Sequence, residues 1–351
     1  MGADLAPRRT HRVSRPIRVL HSMPAPGADT RYSSHMAATA GEGIDVGFFT
    51  WPTAFFRQYD IFHLHWPELL VSPGNSFRAK ISRLRAKLLL FRLRLTRTPI
   101  VRTLHNIRPH DAADDPHWER AIIAFERQTA HEIHLVPEPG RVVSIPTTEI
   151  PHGSYHVPYA QHARRERVAG RVIFFGLIRP YKGVDTLIEQ FRRVEDPSAS
   201  LRIVGRPMDP SLAAFIERAA EEDPRITLRF GFIPDADLVD ELTSAELVVL
   251  PYRELHSSGA ALVALSLDRP LLVPETSTTT ALQNEVGTGW VHLFTPPLEA
   301  DDIERALAAA KDLTAGSTPD LSAREWPEVQ RKHAIVYRSV LRGNGVGGSA
   351  E

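Results

Sequence analysis

Short apolar runs that end in turn residues recur along the chain, and most are separated by stretches long enough for a helix. Such alternation constrains the fold strongly, because successive parallel strands need a crossover that packs on a sheet face. The expected class is α/β, with parallel sheets covered by helices. In the first half the runs place strands near Ile17–Leu20, Asp45–Phe49, Ile61–His65, Ile100–Leu104, Ile133–Val136 and Val142–Ile145, with helices near 33–41, 77–95 and 116–130. The rhythm lapses over 153–169, GSYHVPYAQHARRERVA. It resumes with strands at Val172–Phe175, Leu201–Val204, Ile226–Phe230, Leu247–Leu250 and Leu271–Val273. A chain of 351 residues exceeds one core at roughly 100–200 residues per domain. The lapse therefore separates two doubly wound, Rossmann-like domains, 17–155 and 170–321, with a linker at 156–169. A last amphipathic helix, 322–341, has a return to the first domain as one route. The arm 1–16 and the tail 342–351 carry too little apolar surface to order themselves. Two such domains facing each other put the carboxyl ends of two sheets around a central cleft, the usual ligand site of open parallel sheets.

Several function classes are excluded. Forty-two basic side chains balance 42 acidic ones, so the whole-molecule positive charge of a nucleic-acid coat is missing and no nucleic-acid partner is expected. With no cysteine there is no thiol nucleophile, disulfide framework or thiolate metal site. Apolar runs fall far short of the ~20 residues that span a bilayer. Residues 1–16 hold four arginines without the apolar stretch of a secretory signal, so the expected location is cytoplasmic.

The segment FFGLIRPYKGVDTLIEQF, 174–191, reads as strand, turn and helix, and its turn holds Arg179, Lys182 and Gly183 ahead of the helix. Cations and free backbone N–H groups at a helix start suit a phosphate; the alternative is a pair of solvated loop charges. The turn is too short for a P-loop and lacks the glycine spacing of a dinucleotide fingerprint. Further on, Ser257, Ser258 and Gly259 sit where the helix after Leu247–Leu250 begins. They are candidates for phosphate binding or for simple capping.

At this point the sequence resembles the GT-B glycosyltransferases, in particular the large retaining family that uses nucleotide sugars. The segments that carry the likeness after the turn are IVGRP at 203–207, ITLRFGFIP at 226–234 and LVVLPYRELHSSGAALVALSLDRPLLVP at 247–274, with TLHN at 103–106 and PHGSY at 151–155 in the first half. The resemblance implies that Arg179 and Lys182 grip a diphosphate beside Gly183. It places Gly205 in the next glycine turn, Gly231 at the nucleotide base, Ser257 to Gly259 at the distal phosphate and His105 beside the donor sugar. It also implies a nucleotide-sugar donor, slightly favouring GDP-mannose, with neither cofactor nor metal required. One departure stands out. The two glutamates that the family separates by seven intervening residues fall here on Leu255 and Val263, with Glu254 one residue from the first slot. This places the chain in a divergent branch, leaves inversion open beside retention, and keeps an inactive binding subunit as an alternative.

On the acceptor side, HLHWPE at 63–68 offers His65, Trp66 and Glu68: an aromatic face for a sugar and a carboxylate that is a candidate general base. The alternative is a core Trp with a capping Glu. Asp111 is the other candidate base, and His105 is alternatively a structural histidine. No metal site is expected, since His63 and His65 are read as pointing to opposite faces of a strand and Asp114–Asp115 precede Pro116 in a turn. Finally, FRAKISRLRAKLLLFRLRLTRTP at 77–99 spaces Phe77, Ile81, Leu84, Leu88, Phe91 and Leu95 as one helical stripe. That stripe is expected to cover the sheet, leaving Arg78, Lys80, Arg83, Arg85, Lys87, Arg92 and Arg94 outside. Between Glu68 and Asp111 there are ten basic residues and no acidic one. The helix either docks on an anionic membrane surface or is a core helix with a basic back. The function expected is transfer of a sugar to a saccharide or lipid-linked saccharide, at the inner face of the plasma membrane if the helix docks.

Overall fold

The computed structural model describes residues 15–25, 41–105, 115–136, 144–253, 259–314 and 316–345. The chain divides into two compact units, Met1–Ile150 with Trp326–Glu351, and Pro151–Glu325. Each is built on its own six-stranded sheet, and every strand pair is parallel.

In the first unit the strands are β1 (Ile17–His21), β2 (Ile44–Phe48), β3 (Ile61–Leu64), β4 (Ile100–Leu104), β5 (Thr129–His134) and β6 (Thr147–Glu149), arranged β2-β1-β3-β4-β5-β6. Helices α1 (Trp51–Phe56), α2 (Phe77–Leu95) and α3 (Pro116–Glu126) connect them. Strand residues alternate between two cores. Leu20, Phe62, Leu64 and Ile100 face α1, α2 and α3, whose Ala54, Leu89, Leu93, Trp118 and Phe125 fill that side. Val19, Ile61, Val101 and Ile133 face the C-terminal helix, named below, through Trp326, Val329, Val336 and Tyr337. Helix starts follow their caps: Ser76 accepts from the Ala79 N–H and Asp115 from the His117 N–H, with Pro116 at the first turn of α3. Asp115, read from the sequence as part of a turn, is thus the cap of α3, and Asp114 lies outside the described residues.

The second unit holds α4 (His156–Tyr159), β7 (Arg171–Phe175), α5 (Val184–Phe191), β8 (Ser200–Gly205), α6 (Pro210–Glu222), β9 (Ile226–Phe230), α7 (Asp235–Thr243), β10 (Leu247–Val249), α8 (Gly259–Ser266), β11 (Leu271–Pro274), α9 (Ser277–Val286), β12 (Val291–Phe294) and α10 (Ala300–Lys311). Its strand order is β12-β11-β10-β7-β8-β9, so the buried β7 and β10 lie at the centre. The chain then enters α11 (Trp326–Gly345), which belongs to the first unit.

Some boundaries differ from the sequence reading. The last strand of the first sheet is Thr147–Glu149; of the strand expected at Val142–Ile145, the first two residues lie outside the described residues and the last two are not in a strand. The helix expected over 116–130 stops at Glu126, because the chain turns at Arg127 to enter β5 as an extended strand. The units part between Ile150 and Pro151, and the stretch expected to be a linker contains α4. The final helix runs to Gly345, past the expected end at 341. The helix expected at 33–41 falls almost wholly outside the described residues, as does most of the arm 1–16.

Candidate functional site

In the second unit, the turn after β7 is shaped by two close backbone approaches. Gly205, at the end of β8 with φ 141°, lies so near the turn that a Cβ on it would stand 1.9 Å from the Gly176 carbonyl oxygen. Gly183, in the left-handed region at φ 66°, would bring a Cβ to 2.2 Å from the Pro251 carbonyl oxygen. Only glycine fits at either place. The turn is thereby pinned between the ends of β8 and β10, and Gly231 continues the row by donating its N–H to Gly205 (3.0 Å). Gly183 then starts α5.

This pinning sets two cations side by side. The Lys182 ammonium sits 4.9 Å from the centre of the Tyr252 ring, and burial, helped by the neighbouring Arg179 charge, pulls its pKa down to about 8. Asp185, the acid closest in sequence, is bonded to Arg253 (2.7 Å) instead. Among the described residues neither Arg179 nor Lys182 has an acidic partner. A half-buried cation beside a second one, at a helix start, is a site that an anion stabilises. Gly259 opens α8, while Glu254, Ser257 and Ser258 lie outside the described residues. Val263, in the second family glutamate slot, is buried in the core.

In the first unit, side chains at the carboxyl ends of β1, β3 and β4 form a histidine chain. His21 Nδ1 lies 2.8 Å from His65 Nε2, and His65 Nδ1 lies 3.0 Å from His105 Nε2. His63 binds the Tyr337 hydroxyl through Nδ1 (2.6 Å) and the Thr103 hydroxyl through Nε2 (2.7 Å). The expectation that His63 and His65 face opposite ways is corrected: residues two apart share a strand face, and their rings stack with centres 4.2 Å apart. Nitrogens of His21, His63 and His65 come within 4.8 Å of one another. All of these nitrogens except His21 Nε2 are spent on other histidines and on hydroxyls, which makes a hydrogen-bonded chain. Burial holds His21 down at about pKa 3, His333 at about 4, and His63 and His65 well below the histidine range, with neighbouring histidines adding to the effect for His21, His63 and His65.

These rings are therefore neutral, and the chain has a direction. His21 Nε2 is buried with no partner. A bare lone pair there costs less than an unpaired N–H, which puts the proton on Nδ1. His21 then donates to His65, and His65 donates to His105 Nε2. His105 stacks on Trp66, ring centres 4.0 Å apart. Both line a small cavity with His65, Glu68, Arg102 and Glu126. Glu68 is half-buried in the turn Pro67–Leu69, and burial raises its carboxyl pKa. Asp111 lies outside the described residues.

The helix α2 overturns one expectation. Its buried face is Ala79, Ala86, Leu89, Leu90 and Leu93. The stripe expected to cover the sheet points outward: Phe77 is 77% exposed, Phe91 65% and Leu95 73%, with Leu84 and Leu88 exposed too. Arg78 and Arg85 flank this stripe on one side, Lys80, Lys87 and Arg94 on the other. Two of the expected outward cations are committed elsewhere. Arg83 donates to the Gly74 carbonyl and pairs with Asp115, and Arg92 ties down the end of α1 through the carbonyls of Phe55 and Arg57 and the Tyr59 hydroxyl. Among the described residues no helix is long and apolar enough to cross a membrane.

Comparison with known proteins follows the same lines. Residues 169–311 match the family described as Glycosyl transferases group 1. The chain is 38% identical over 336 residues to a GDP-mannose:glycolipid 4-beta-D-mannosyltransferase of Xanthomonas campestris pv. campestris, covering 95% of each. Among solved structures it resembles Anabaena HepE in complex with UDP, at TM-score 0.59 and 15% identity, covering 95% of this chain and 99% of that one. It also resembles an alpha,alpha-trehalose-phosphate synthase (UDP-forming) from Burkholderia vietnamiensis, at TM-score 0.61 and 13% identity, covering 94% and 100%.

Proposed function

The chain belongs to the group 1 glycosyl transferases and is a glycosyltransferase of GT-B fold; from that premise we propose that it moves mannose from GDP-mannose to a lipid-linked saccharide, with inversion at the anomeric carbon. The observation that carries the donor half is the pair Arg179 and Lys182, two cations that among the described residues have no acidic partner, at the head of α5. A nucleoside diphosphate brings the charge the pair lacks, and charge-assisted bonds to it stabilise the leaving group as negative charge develops. The printed activity of the Xanthomonas relative supports the donor, the glycolipid class of acceptor and a β linkage.

GDP-mannose holds its sugar in the α configuration, so a β product requires in-line displacement. The acceptor hydroxyl attacks the anomeric carbon opposite the diphosphate, the bond from that carbon to the phosphate oxygen breaks, and GDP departs with the electron pair. The hydroxyl proton goes to a base. Glu68 suits that role, since burial raises the proton affinity of its carboxylate, and it lines a cavity beside the Trp66 ring. Asp111 is the second candidate. His105, whose ring stacks on Trp66 in the same cavity, is the candidate for contact with a sugar hydroxyl. The scheme asks for no metal ion and no cofactor.

The outward stripe of α2 supports docking on the cytoplasmic face of the membrane, where a lipid-linked acceptor resides. Bulky apolar side chains enter the interface while flanking cations meet anionic headgroups.

Release of GDP from GDP-mannose in the presence of membrane extract tests the whole reading. Arg179→Ala with Lys182→Ala should weaken GDP binding roughly 100-fold or more in calorimetry. Glu68→Gln should leave GDP affinity unchanged and lower turnover by roughly 10²–10⁴. Tighter binding of UDP than GDP removes the donor assignment, and unchanged turnover in Glu68→Gln removes the base.

A further inference from the structure

A second concave surface of the first unit runs between α2 and α3, and its charge is one-sided. Arg94 and Arg97 line one wall and Arg120 and Arg127 the other, around a groove of about 850 Å³. Lys80 and Lys87 extend the α2 wall toward the start of α3, where Arg120 and Ala124 line both stretches and make them continuous. The floor is apolar, from Leu90, Leu93, Ala121 and Ala124.

Helical phase explains the segregation. On α3 and its C-cap, Arg120, Ala124 and Arg127 follow one another at steps of four and three along the flank that meets α2. Glu119 and Glu126 fall on the opposite flank, and Glu126 is bonded to Arg102 at 2.9 Å. On α2, Lys80, Lys87 and Arg94 repeat every seven residues along the matching flank. Asp115 is spent on Arg83 and on capping α3. Among the described residues, none of the six groove cations Lys80, Lys87, Arg94, Arg97, Arg120 and Arg127 has an ion pair. Six like charges around one concavity repel one another, and an anion seated among them removes that repulsion.

The ligand must be amphipathic as well as anionic. Leu84 lines the groove and is also part of the exposed stripe of α2, so the cationic walls run into an apolar outer face. The size suits more than a bare ion. We propose that the groove between α2 and α3 binds the phosphorylated headgroup of an anionic membrane lipid, with guanidinium forks on the phosphate oxygens and the lipid's apolar part against Leu84 and the floor. The inference deepens, and rests on, the reading of α2 as a membrane-facing helix.

The experiment measures binding of the full chain to phosphatidylcholine vesicles with and without phosphatidic acid, and to soluble dihexanoyl phosphatidic acid by calorimetry. Two variants remove equal charge: Arg120→Gln with Arg127→Gln in the groove, and Arg78→Gln with Arg85→Gln on the far flank of the stripe. Wild type should prefer phosphatidic acid vesicles at least tenfold and bind the soluble lipid. The groove variant should lose that preference and the soluble lipid while keeping its circular dichroism, and the flank variant should keep the soluble lipid. Equal losses in both variants, or no heat with the soluble lipid, overturn the proposal. Displacement of the lipid by equimolar inorganic phosphate overturns the assignment to a lipid. If vesicles fail to bind but the soluble lipid does, the docking reading fails and the groove stands.

Discussion

Burial and Arg179 hold the Lys182 ammonium near pKa 8, where an exposed lysine would stay charged to about 10.5. A bound diphosphate favours the charged form, so donor affinity should be full below pH 7 and fall as pH rises through about 8. Above that pH, binding should take up a proton, which calorimetry in buffers of different ionisation enthalpy detects. Affinity that stays flat to pH 9.5 would contradict the placement of Lys182 at the phosphates. The glycines of the same turn act through geometry alone. Gly205→Ala forces a Cβ into the Gly176 carbonyl, and the expected loss is at least about 2 kcal/mol in urea unfolding, with weaker GDP binding because the turn is displaced. These residues were legible in the sequence because a strand, a short basic turn and a helix stand next to one another there. Val263 was legible too, as a departure from the family, and it lies buried in the core of the second unit. The histidine chain was not legible, since His21, His65 and His105 come from three strands whose order appears only in the sheet.

At the scale of elements, α2 shows what a periodic pattern decides and what it leaves open. Phe77, Leu84, Leu88, Phe91 and Leu95 form an apolar stripe, but Ala79, Ala86, Leu89, Leu90 and Leu93 form a second one on the opposite side. Period alone cannot say which faces the sheet. Packing decides: two alanines let the helix lie close to β-sheet residues such as Phe62 and Leu64, a fit the larger Phe77 and Phe91 would prevent. Because these side chains of the outer stripe are exposed, Phe77→Gln, Leu88→Gln and Phe91→Gln together should change thermal stability little, within about 0.5 kcal/mol each. Co-sedimentation with anionic vesicles should fall sharply. A variant that unfolds would return the stripe to the core. Most strands were legible to within two or three residues, since buried parallel strands are continuous apolar runs bounded by turns. The short β6 was not, because Thr147–Glu149 carries no apolar run, and β12 was missed beside its polar His292.

At the scale of the molecule, the two units differ in what acid does to them. His21, His63, His65 and His333 are buried and neutral in the first unit, each with a folded pKa below the ordinary 6.5. The unfolded chain takes up those protons and the folded one does not, so the stability present above pH 6.5 is lost as pH falls. Four such groups give a slope of up to about 5 kcal/mol per pH unit. Against a typical domain stability of about 5–15 kcal/mol, the first unit should open between roughly pH 4 and 6, before the second. Tryptophan fluorescence reads this selectively, because Trp51, Trp66, Trp118 and Trp326 lie in the first unit and only Trp290 in the second. A single transition shared by both units below pH 4 would contradict it.

The return of α11 to the first unit also has a meaning during synthesis. The sheet face of Val19, Ile61, Val101 and Ile133 waits for Trp326, Val329 and Val336, and the ribosome must first make all of Pro151–Glu325. At roughly 5–20 residues per second, that oily surface stands bare on the nascent polypeptide for on the order of ten seconds or more. The second unit can finish folding in that interval while the first remains a client for chaperones.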